Sequence, residues 1–404
     1  MKTTCCIAGG GPAGIMLGFL LARAGVDVTV LEKHADFLRD FRGDTVHPST
    51  LELLRELGLL DEFLKLPHSE VSQFDFRIEG TELPGPSFVH LPATCNFVAF
   101  MPQWDFLNFL AERAKAFPTF HLMMQTEAAG LVRSGERVTG VRAIGPEGAL
   151  EIDADLVVGC DGRHSTLRDA AGVKPLEFGS PIDVLWMRVP RLASDPGHLL
   201  ATIAGGKAMI LIDRGSYWQC AYVVRKNSIS EVQALGLETF REDVLVLAPY
   251  LGARVDELKS WDDIKLLTVE IDRLAVWSQP GLLFIGDAAH AMSPMGGVGI
   301  NLAIQDAVAA ANVLWQPLLE RRVSARDVAA IQARREMPVR RIQKIQVFLQ
   351  DRLMSSLLGG GASRVAAVLR LTLTAFPFLR DYAGRIVGLG FRPERIASPA
   401  SGAG

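Results

Sequence analysis

Residues 3–32, TTCCIAGGGPAGIMLGFLLARAGVDVTVLE, decide the fold. Thr3 to Ala8 is a run of β-formers, followed at once by glycines at positions 9, 10, 11 and 14. A helix-spaced apolar stretch then runs to Ala24, Gly25 stops it, and Val26 to Leu31 forms a second strand closed by Glu32. Strand, glycine turn, helix, strand and acid in that order are the fingerprint of a dinucleotide-binding βαβ unit. Gly9 permits the tight turn, Gly11 lets the backbone approach a pyrophosphate, and Gly14 lets the helix pack closely on the strand. Glu32 is placed to accept hydrogen bonds from an adenosine ribose. Pro12 and Ala13 at the helix start and Lys33 beside the acid are counted with this binding set.

A second stretch, Gly286-Asp287 through Pro294 to Gly299-Ile300-Asn301, follows the apolar run Leu282 to Ile285 and leads into Leu302 to Leu314, which has helical spacing and no Gly or Pro. It sets backbone N–H groups and the Asp287 carboxylate at the carboxyl edge of a sheet. A helix N-terminus carries partial positive charge, which suits a ligand with hydroxyls and an electron-rich carbonyl. His290 within it reads as a packing residue. A third strand, Leu156 to Gly159, ends in Cys160-Asp161-Gly162-Arg163-His164-Ser165 before a helix at Thr166 to Ala171. Asp161 there serves a nucleotide or is only a turn residue.

Between these motifs lies Phe41-Arg42-Gly43-Asp44-Thr45-Val46-His47-Pro48, with Pro48 opening a short helix that Gly58 closes. Arg42 is a cation within reach of a pyrophosphate or a surface arginine, and His47 points into a site or helps cap the helix. Gln103 starts an amphipathic helix, Phe106 to Ala116, where its amide meets a ligand or caps. Leu131–Val132, Val138 to Ile144 and Leu150 to Ile152 read as an antiparallel meander. Phe74 to Ile78 and Phe97 to Met101 alternate as strands on either side of a proline-rich loop. From Pro181 to Ile271 the pattern turns to β-strands at Val184 to Val189, Ala208 to Ile212 and Tyr217 to Val224, with a helical interlude at Val232 to Ala248. In the last of these strands Tyr217, Gln219 and Ala221 share one face, and Trp218, Cys220 and Tyr222 the other. Alternation alone leaves open which face is wet.

The fold class is therefore α/β: a Rossmann-like, glutathione-reductase-type nucleotide domain with an inserted mixed β-sheet domain and a helical C-terminal cover. The domain expected from 1–73, 102–180 and 272–325 is discontinuous; 74–101 and 181–271 form the inserted domain, 326–396 a helical region broken at Pro338, and 397–404 a flexible tail. A net charge of −3 offers no footprint for nucleic acid. Five scattered cysteines form neither a disulfide framework nor a metal site, so a reducing cytoplasm is expected. Ile15 to Leu21 is too short to span a bilayer, and no other segment reads as transmembrane. The arginine-flanked apolar helices after Val328 read as a packed cover, with peripheral membrane contact as the other reading. A monomer or a homodimer is expected.

Gly9-x-Gly-x-x-Gly, Asp161-Gly162 and Gly286-Asp287 followed by Pro294 and Gly-Val-Gly-Ile-Asn, in this order and spacing, resemble the single-component FAD-dependent monooxygenases of the para-hydroxybenzoate hydroxylase type over roughly residues 1–350. The resemblance implies FAD as cofactor, NADPH or NADH and O2 as co-substrates, and hydroxylation of an aromatic or polycyclic small molecule through a flavin C4a-hydroperoxide. It places the ADP half of FAD on the first motif, with Glu32 on the ribose, and gives the middle motif pyrophosphate and nicotinamide contacts. Asp287 meets the ribityl or pyrophosphate region, the backbone at Gly299, Ile300 and Asn301 faces the flavin pyrimidine, and Arg42 and Gln103 line the FAD. No residue is assigned as acid or base; His47 is the catalytic candidate. A pocket beneath Val184 to Val224, lined by Met101, Trp186, Tyr217, Gln219 and His47, would take the substrate. The chain has no Trp-x-Trp-x-Ile-Pro, which argues against a halogenase, and it stops where the phenol-hydroxylase branch continues into a thioredoxin-like domain. The alternatives are an FAD-dependent reductase or dehydrogenase of an isoprenoid or polyketide double bond, and a non-catalytic flavin-binding or membrane-docking protein.

Overall fold

A computed structural model describes residues 1–38, 45–197, 199–354 and 362–400. The βαβ unit forms as the pattern dictates, with strand Lys2–Ala8, helix Pro12–Arg23 and strand Val28–Leu31. They belong to an eight-stranded sheet whose central order is Ser278–Gln279, Leu282–Phe284, Gly148–Gly159, Lys2–Ala8, Val28–Leu31, Phe120–Met123. Ala8 lies in parallel register with Leu31 on one side and Gly159 on the other, and Gly159 with Phe284. The strands leading into the three motifs thus finish level, and all three turns emerge at one edge.

Two strands expected at Leu150 to Ile152 and Leu156 to Gly159 are one 12-residue strand, Gly148–Gly159. Asp153-Ala154-Asp155 between them keeps the in–out alternation and contains no breaker, so the strand simply changes partner. Its first half pairs antiparallel with Arg137–Gly145 and its second half parallel with Lys2–Ala8.

Helix Gly299–Leu319 packs on helix Pro12–Arg23, and its apolar residues from Leu302 to Ala311 are all buried, all but Ala309 within the main core. The segment Met295–Leu319 is long and apolar enough to cross a membrane, but 72% of its apolar window is covered by the rest of the protein. The next helix, Ala325–Phe348, opens with a Ser324/Asp327 capping box and runs through Pro338 without the expected break. Pro338 is buried on the side of the helix that packs inward, so tertiary contacts outweigh the one lost backbone bond.

The inserted sheet has seven strands, in the order Lys265–Leu267, Ile182–Pro190, Tyr217–Arg225, Lys207–Asp213, Leu199–Ala204, Gln73–Ile78, Thr81–Ser87. Thr81–Ser87 arises where a proline-rich loop was expected. It is an edge strand, the place where Pro84 and Pro86 need no outward donor. Val98–Phe100 does not join this sheet; it pairs with Thr45–Val46 and Ser69–Val71 in a small sheet of its own. Leu185, Met187, Trp218, Cys220 and Tyr222 face helix Leu237–Leu247 and bury Phe240 and Val244 between them. Each such side chain contributes on the order of 1.5–3 kcal/mol.

Helices Ala362–Ala375 and Phe378–Gly388 meet at 99° and close over the edge strand. A Cβ on Gly384 would stand 1.8 Å from the Ser87 carbonyl oxygen, so the second helix lies directly on the sheet. The tail expected to be free from Ala397 is anchored at its first two residues, whose N–H groups both donate to Asn312 Oδ1, at 2.8 and 3.0 Å.

Candidate functional site

The first glycine turn is built by exclusion. A Cβ on Gly9, where φ is +102°, would stand 2.4 Å from the Cys160 carbonyl oxygen, and one on Gly14 would stand 1.9 Å from that of Gly9. Gly11 differs: a Cβ there meets nothing within 4 Å. Two glycines are therefore needed by the protein itself, while the third borders open space at the start of helix Pro12–Arg23. Glu32, buried at the end of its strand, reaches across the turn. Its Oε2 accepts from the Gly10 N–H at 3.1 Å, and its Oε1 accepts from the His34 N–H at 3.0 Å and pairs with His34 Nδ1 at 2.5 Å. Lys33 is exposed beside it. Arg42 lies outside the described residues.

The third motif nests against the first. Gly286 is in the left-handed region at φ +59°, where a side chain is strained, and a Cβ there would crowd Ala13 Cβ at 3.2 Å and Ala303 Cβ at 3.3 Å. Asp287 follows with its side chain one-third exposed, and Arg163 Nη2 donates to its Oδ2 at 3.3 Å. Asp161, on the middle turn, is committed elsewhere. Its carboxylate accepts from Ser165 Oγ at 2.5 Å and from the Leu167 N–H at 3.0 Å, so it caps the short helix Thr166–Ala170. Burial pushes this carboxyl above its ordinary value against the pull of those bonds. The turn role of Asp161 is thus visible in the structure.

Helix Gly299–Leu319 starts without a side-chain cap, so the N–H groups of Gly299, Ile300 and Asn301 are left for water or a ligand. Pro294 begins the tight turn ahead of it, its carbonyl accepting from the Gly297 N–H at 3.0 Å. The Asn301 side chain stitches this start to the segment around His47: its Oδ1 accepts from the His47 N–H at 3.2 Å and from Thr50 Oγ1 at 2.8 Å. Thr45 Oγ1 also donates to the Gly297 carbonyl at 3.1 Å.

His47 stands at the N-cap position of helix Pro48–Glu56, but its side chain makes no capping hydrogen bond. It is fully buried, with Nδ1 2.7 Å from the Val387 carbonyl, which makes Nδ1–H the donor. Burial lowers its pKa to about 4, opposed by that carbonyl, so the ring is neutral near pH 7. It joins the last helix to the nucleotide domain. His290, expected only to pack, does lie against Trp277 with its ring tilted by 41° and the centroids 5.0 Å apart, but its Nε2 also donates to Asp306 Oδ2 at 2.6 Å. Asp306 is wholly buried and also accepts from the Gly286 N–H at 3.1 Å and from Arg335 Nε at 3.0 Å. Burial pushes its carboxyl up, but His290 and then Arg335 outweigh that and hold it below its ordinary value.

Gln103 opens helix Gln103–Ala114 half-buried, and its side chain finds no hydrogen-bond partner among the described residues. In the inserted sheet, Trp186 lies opposite Ala221, Arg188 opposite Gln219 and Pro190 opposite Tyr217, so Trp186, Tyr217 and Gln219 share the face turned away from helix Leu237–Leu247. That face packs toward the nucleotide domain, with Trp186, Ile210 and Ile212 clustered against Val98, Phe100 and Val387. Phe100 is paired with Thr45, which touches Gly297, so the face is linked contact by contact to the third motif. Met101 is buried in the main core rather than in this face's cluster. Tyr217 lies under the Arg188 guanidinium at 5.1 Å.

Two charged residues here escaped the reading of the sequence. Arg214 Nε donates to Gln219 Oε1 at 3.2 Å, and Arg214 in turn lowers the carboxyl of Asp105, which burial raises above its ordinary value. Arg214 sits in an Asp-Arg-Gly-Ser turn that carries only a turn signal.

These features fit an FAD. Gly11 leaves space for a pyrophosphate, Glu32 stands at the ribose position of the fingerprint, and the uncapped helix start faces the same edge as Asp287. Residues 2–343 match the family model described as FAD binding domain. The 6-methylpretetramide 4-monooxygenase of Streptomyces rimosus is 36% identical over 374 residues, covering 91% of this chain and 87% of that protein. An uncharacterized aromatic compound monooxygenase of Bacillus subtilis (strain 168) is 28% identical over 323 residues, 78% of this chain but only 61% of its own length. Among solved structures, p-nitrophenol 4-monooxygenase from Pseudomonas putida DLL-E4 shares the fold with a TM-score of 0.79 at 20% identity, covering 96% of this chain and 99% of that one. The chain belongs to the FAD-binding-domain family of single-component flavoprotein monooxygenases.

Proposed function

We propose that the protein hydroxylates an aromatic, polycyclic and largely apolar small molecule, of the kind named for its Streptomyces rimosus relative, at the junction between the nucleotide domain and the Trp186–Gln219 face. One observation carries this reading. The three motif turns emerge at one sheet edge, and the face of the inserted sheet opposite helix Leu237–Leu247 is turned toward the nucleotide domain.

FAD, when bound, supplies the redox chemistry, taking electrons from NAD(P)H and activating O2 for transfer to the substrate. The residues of the chain bind and orient. Gly9, Gly11 and Gly14 with Pro12 and Ala13 cradle the pyrophosphate, Glu32 holds the ribose, and Asp287 the ribityl chain. The N–H groups of Gly299, Ile300 and Asn301 stabilise negative charge on the pyrimidine side of the flavin. Gln103 approaches the same cofactor from its own helix start. Trp186 and Tyr217 offer aromatic surface to the substrate, and the Arg214–Gln219 pair offers it a polar contact. His47, neutral and bonded to Val387, acts by holding the C-terminal helix over the junction and not as an acid or base. All five cysteines are free and buried, in keeping with a reducing compartment, and the cytoplasm is the proposed location.

The deciding experiment is a screen of aromatic and polyketide-like compounds for stimulated NAD(P)H oxidation, with O2 uptake and product mass as readouts. Supporting compounds consume O2 and gain one oxygen atom derived from 18O2. Turnover at an undiminished rate without O2 would overturn the reading in favour of a reductase.

A further inference from the structure

The turn that presents Asp287 has an unusual requirement. Gly286 sits at φ +59° tight against Ala13 and Ala303, and its carbonyl is used inside the turn, accepting from the Ala289 and His290 N–H groups at 2.9 Å each, so its N–H is the group left to tie the turn to the rest of the fold. That N–H donates to Asp306, which is fully buried two helical turns after Gly299. The same carboxylate takes Arg335 Nε on its other oxygen. Arg335 is 1% exposed, and its Nη1 donates to the Arg392 carbonyl at 3.0 Å and to Glu394 Oε1 at 3.3 Å. Arg334 grips the Glu394 carboxylate from outside at 2.6 Å, and the Glu394 N–H donates to Gln305 Oε1. A chain of buried charges therefore joins four separate segments, and its inner end is the glycine ahead of Asp287.

Burying two carboxylates and a guanidinium contributes little net stability, because desolvation cancels most of the attraction. Well-packed apolar residues would hold the helices together as well. They would not accept a hydrogen bond from the Gly286 N–H, and that is the contact reserved to the carboxylate.

We propose that Asp306, Arg335 and Glu394 are positioning residues that set the Gly286–Asp287 turn against the start of helix Gly299–Leu319, so that the C-terminal segment governs how tightly and in what electronic setting the flavin is held. The proposal rests on the flavin lying at Asp287 and the helix start.

The test uses the full-length protein and compares Asp306→Asn and Glu394→Gln with Asp195→Asn. Asp195 forms a comparable buried pair with Arg254 at 2.6 Å and also accepts from Trp218 Nε1, but lies in the inserted domain. FAD affinity is read by quenching of flavin fluorescence, alongside the flavin midpoint potential and the apo-protein Tm. Asp306→Asn is expected to raise the FAD Kd at least about tenfold, as for a lost charge-assisted hydrogen bond. Glu394→Gln should shift Kd and potential in the same direction by less, and it carries the test if Asp306→Asn does not fold. Asp195→Asn should lower Tm and leave both flavin readouts at wild-type values. If Asp306→Asn and Glu394→Gln only lower Tm as Asp195→Asn does, the chain is structural and the proposal is overturned. If the wild-type protein itself fails to bind FAD, it is the cofactor placement that falls.

Discussion

Gly11 and Gly14 belong to one motif, yet alanine at each should have opposite consequences. At Gly14 a Cβ would stand 1.9 Å from a backbone oxygen of the same turn, which no rotamer change can relieve. Such overpacking costs roughly 3 kcal/mol or more, so Gly14→Ala should yield little folded protein. At Gly11 the backbone has φ −74° and ψ −175°, which alanine adopts without strain, and its Cβ meets no protein atom within 4 Å. The restricted unfolded chain gains back what the helix loses by having alanine rather than glycine at its N-cap, and the net change in apo stability should stay within about 1 kcal/mol. The added methyl does occupy the space in which a pyrophosphate would approach the helix start. A steric conflict of about 1–3 kcal/mol there corresponds to a roughly 5- to 150-fold rise in Kd. The assay is thermal unfolding of apo-protein together with FAD titration by fluorescence quenching. A Gly11→Ala protein that melts like wild type and binds FAD as tightly would refute the placement of the pyrophosphate at this helix start.

Glu32→Gln should weaken FAD binding by about tenfold, as expected for an acceptor that loses its charge, with only a small drop in apo Tm; unchanged affinity would remove Glu32 from the ribose site. His47 is neutral when folded, and its pKa falls from its ordinary value to about 4. Between those values the unfolded chain binds the extra proton, so stability is full above about pH 6.5 and falls as pH drops toward 4, by about 3 kcal/mol in all. His47→Gln should flatten that part of the stability–pH curve, and an identical slope in both proteins would show that the imidazole is not held neutral. Gly384→Ala drives a methyl into the Ser87 carbonyl and should lift the last helix from the sheet, lowering Tm by several degrees; an unchanged Tm would mean that this helix is not docked as described.

The part of the site legible in the sequence is the part made of backbone. Gly9, Gly11, Gly14, Gly286 and the start at Gly299 matter through turns and N–H groups, and those leave a local pattern of glycines between an apolar run and a helix. The level ending of Ala8, Gly159 and Phe284 follows from three such runs feeding one parallel sheet. Side chains whose partners are distant in the chain left no such pattern. His47 finds Val387, 340 residues away, and nothing near either position announces the pair. Asp161 was ambiguous because a turn acid that caps its own helix and one that meets a nucleotide look alike in sequence. Alternation separated the two faces of Tyr217–Arg225 correctly, but helix Leu237–Leu247 decides which one is sealed.

Pro338 and His290 fail to read for a related reason. Local rules give proline as a helix breaker and an isolated histidine in an apolar stretch as filler, and both rules assume that the rest of the chain is neutral. Pro338 lies one turn after Arg335, on the helix that carries the buried guanidinium to Asp306. A break there would swing Gln343 and Gln346 away from the carbonyls of Asp272 and Ser293, which they bond at 2.6 and 3.0 Å. Those bonds hold the strand and loop on either side of the Gly286 turn, so the helix stays continuous because the loop that carries Asp287 is fastened along its length. His290 is part of the same fastening, donating to the carboxylate that holds Gly286. The helical region that composition marks as a cover is thus the rear wall of the candidate flavin site, and changes along Arg335–Gln346 should be felt at Asp287 before they are felt in the substrate sheet.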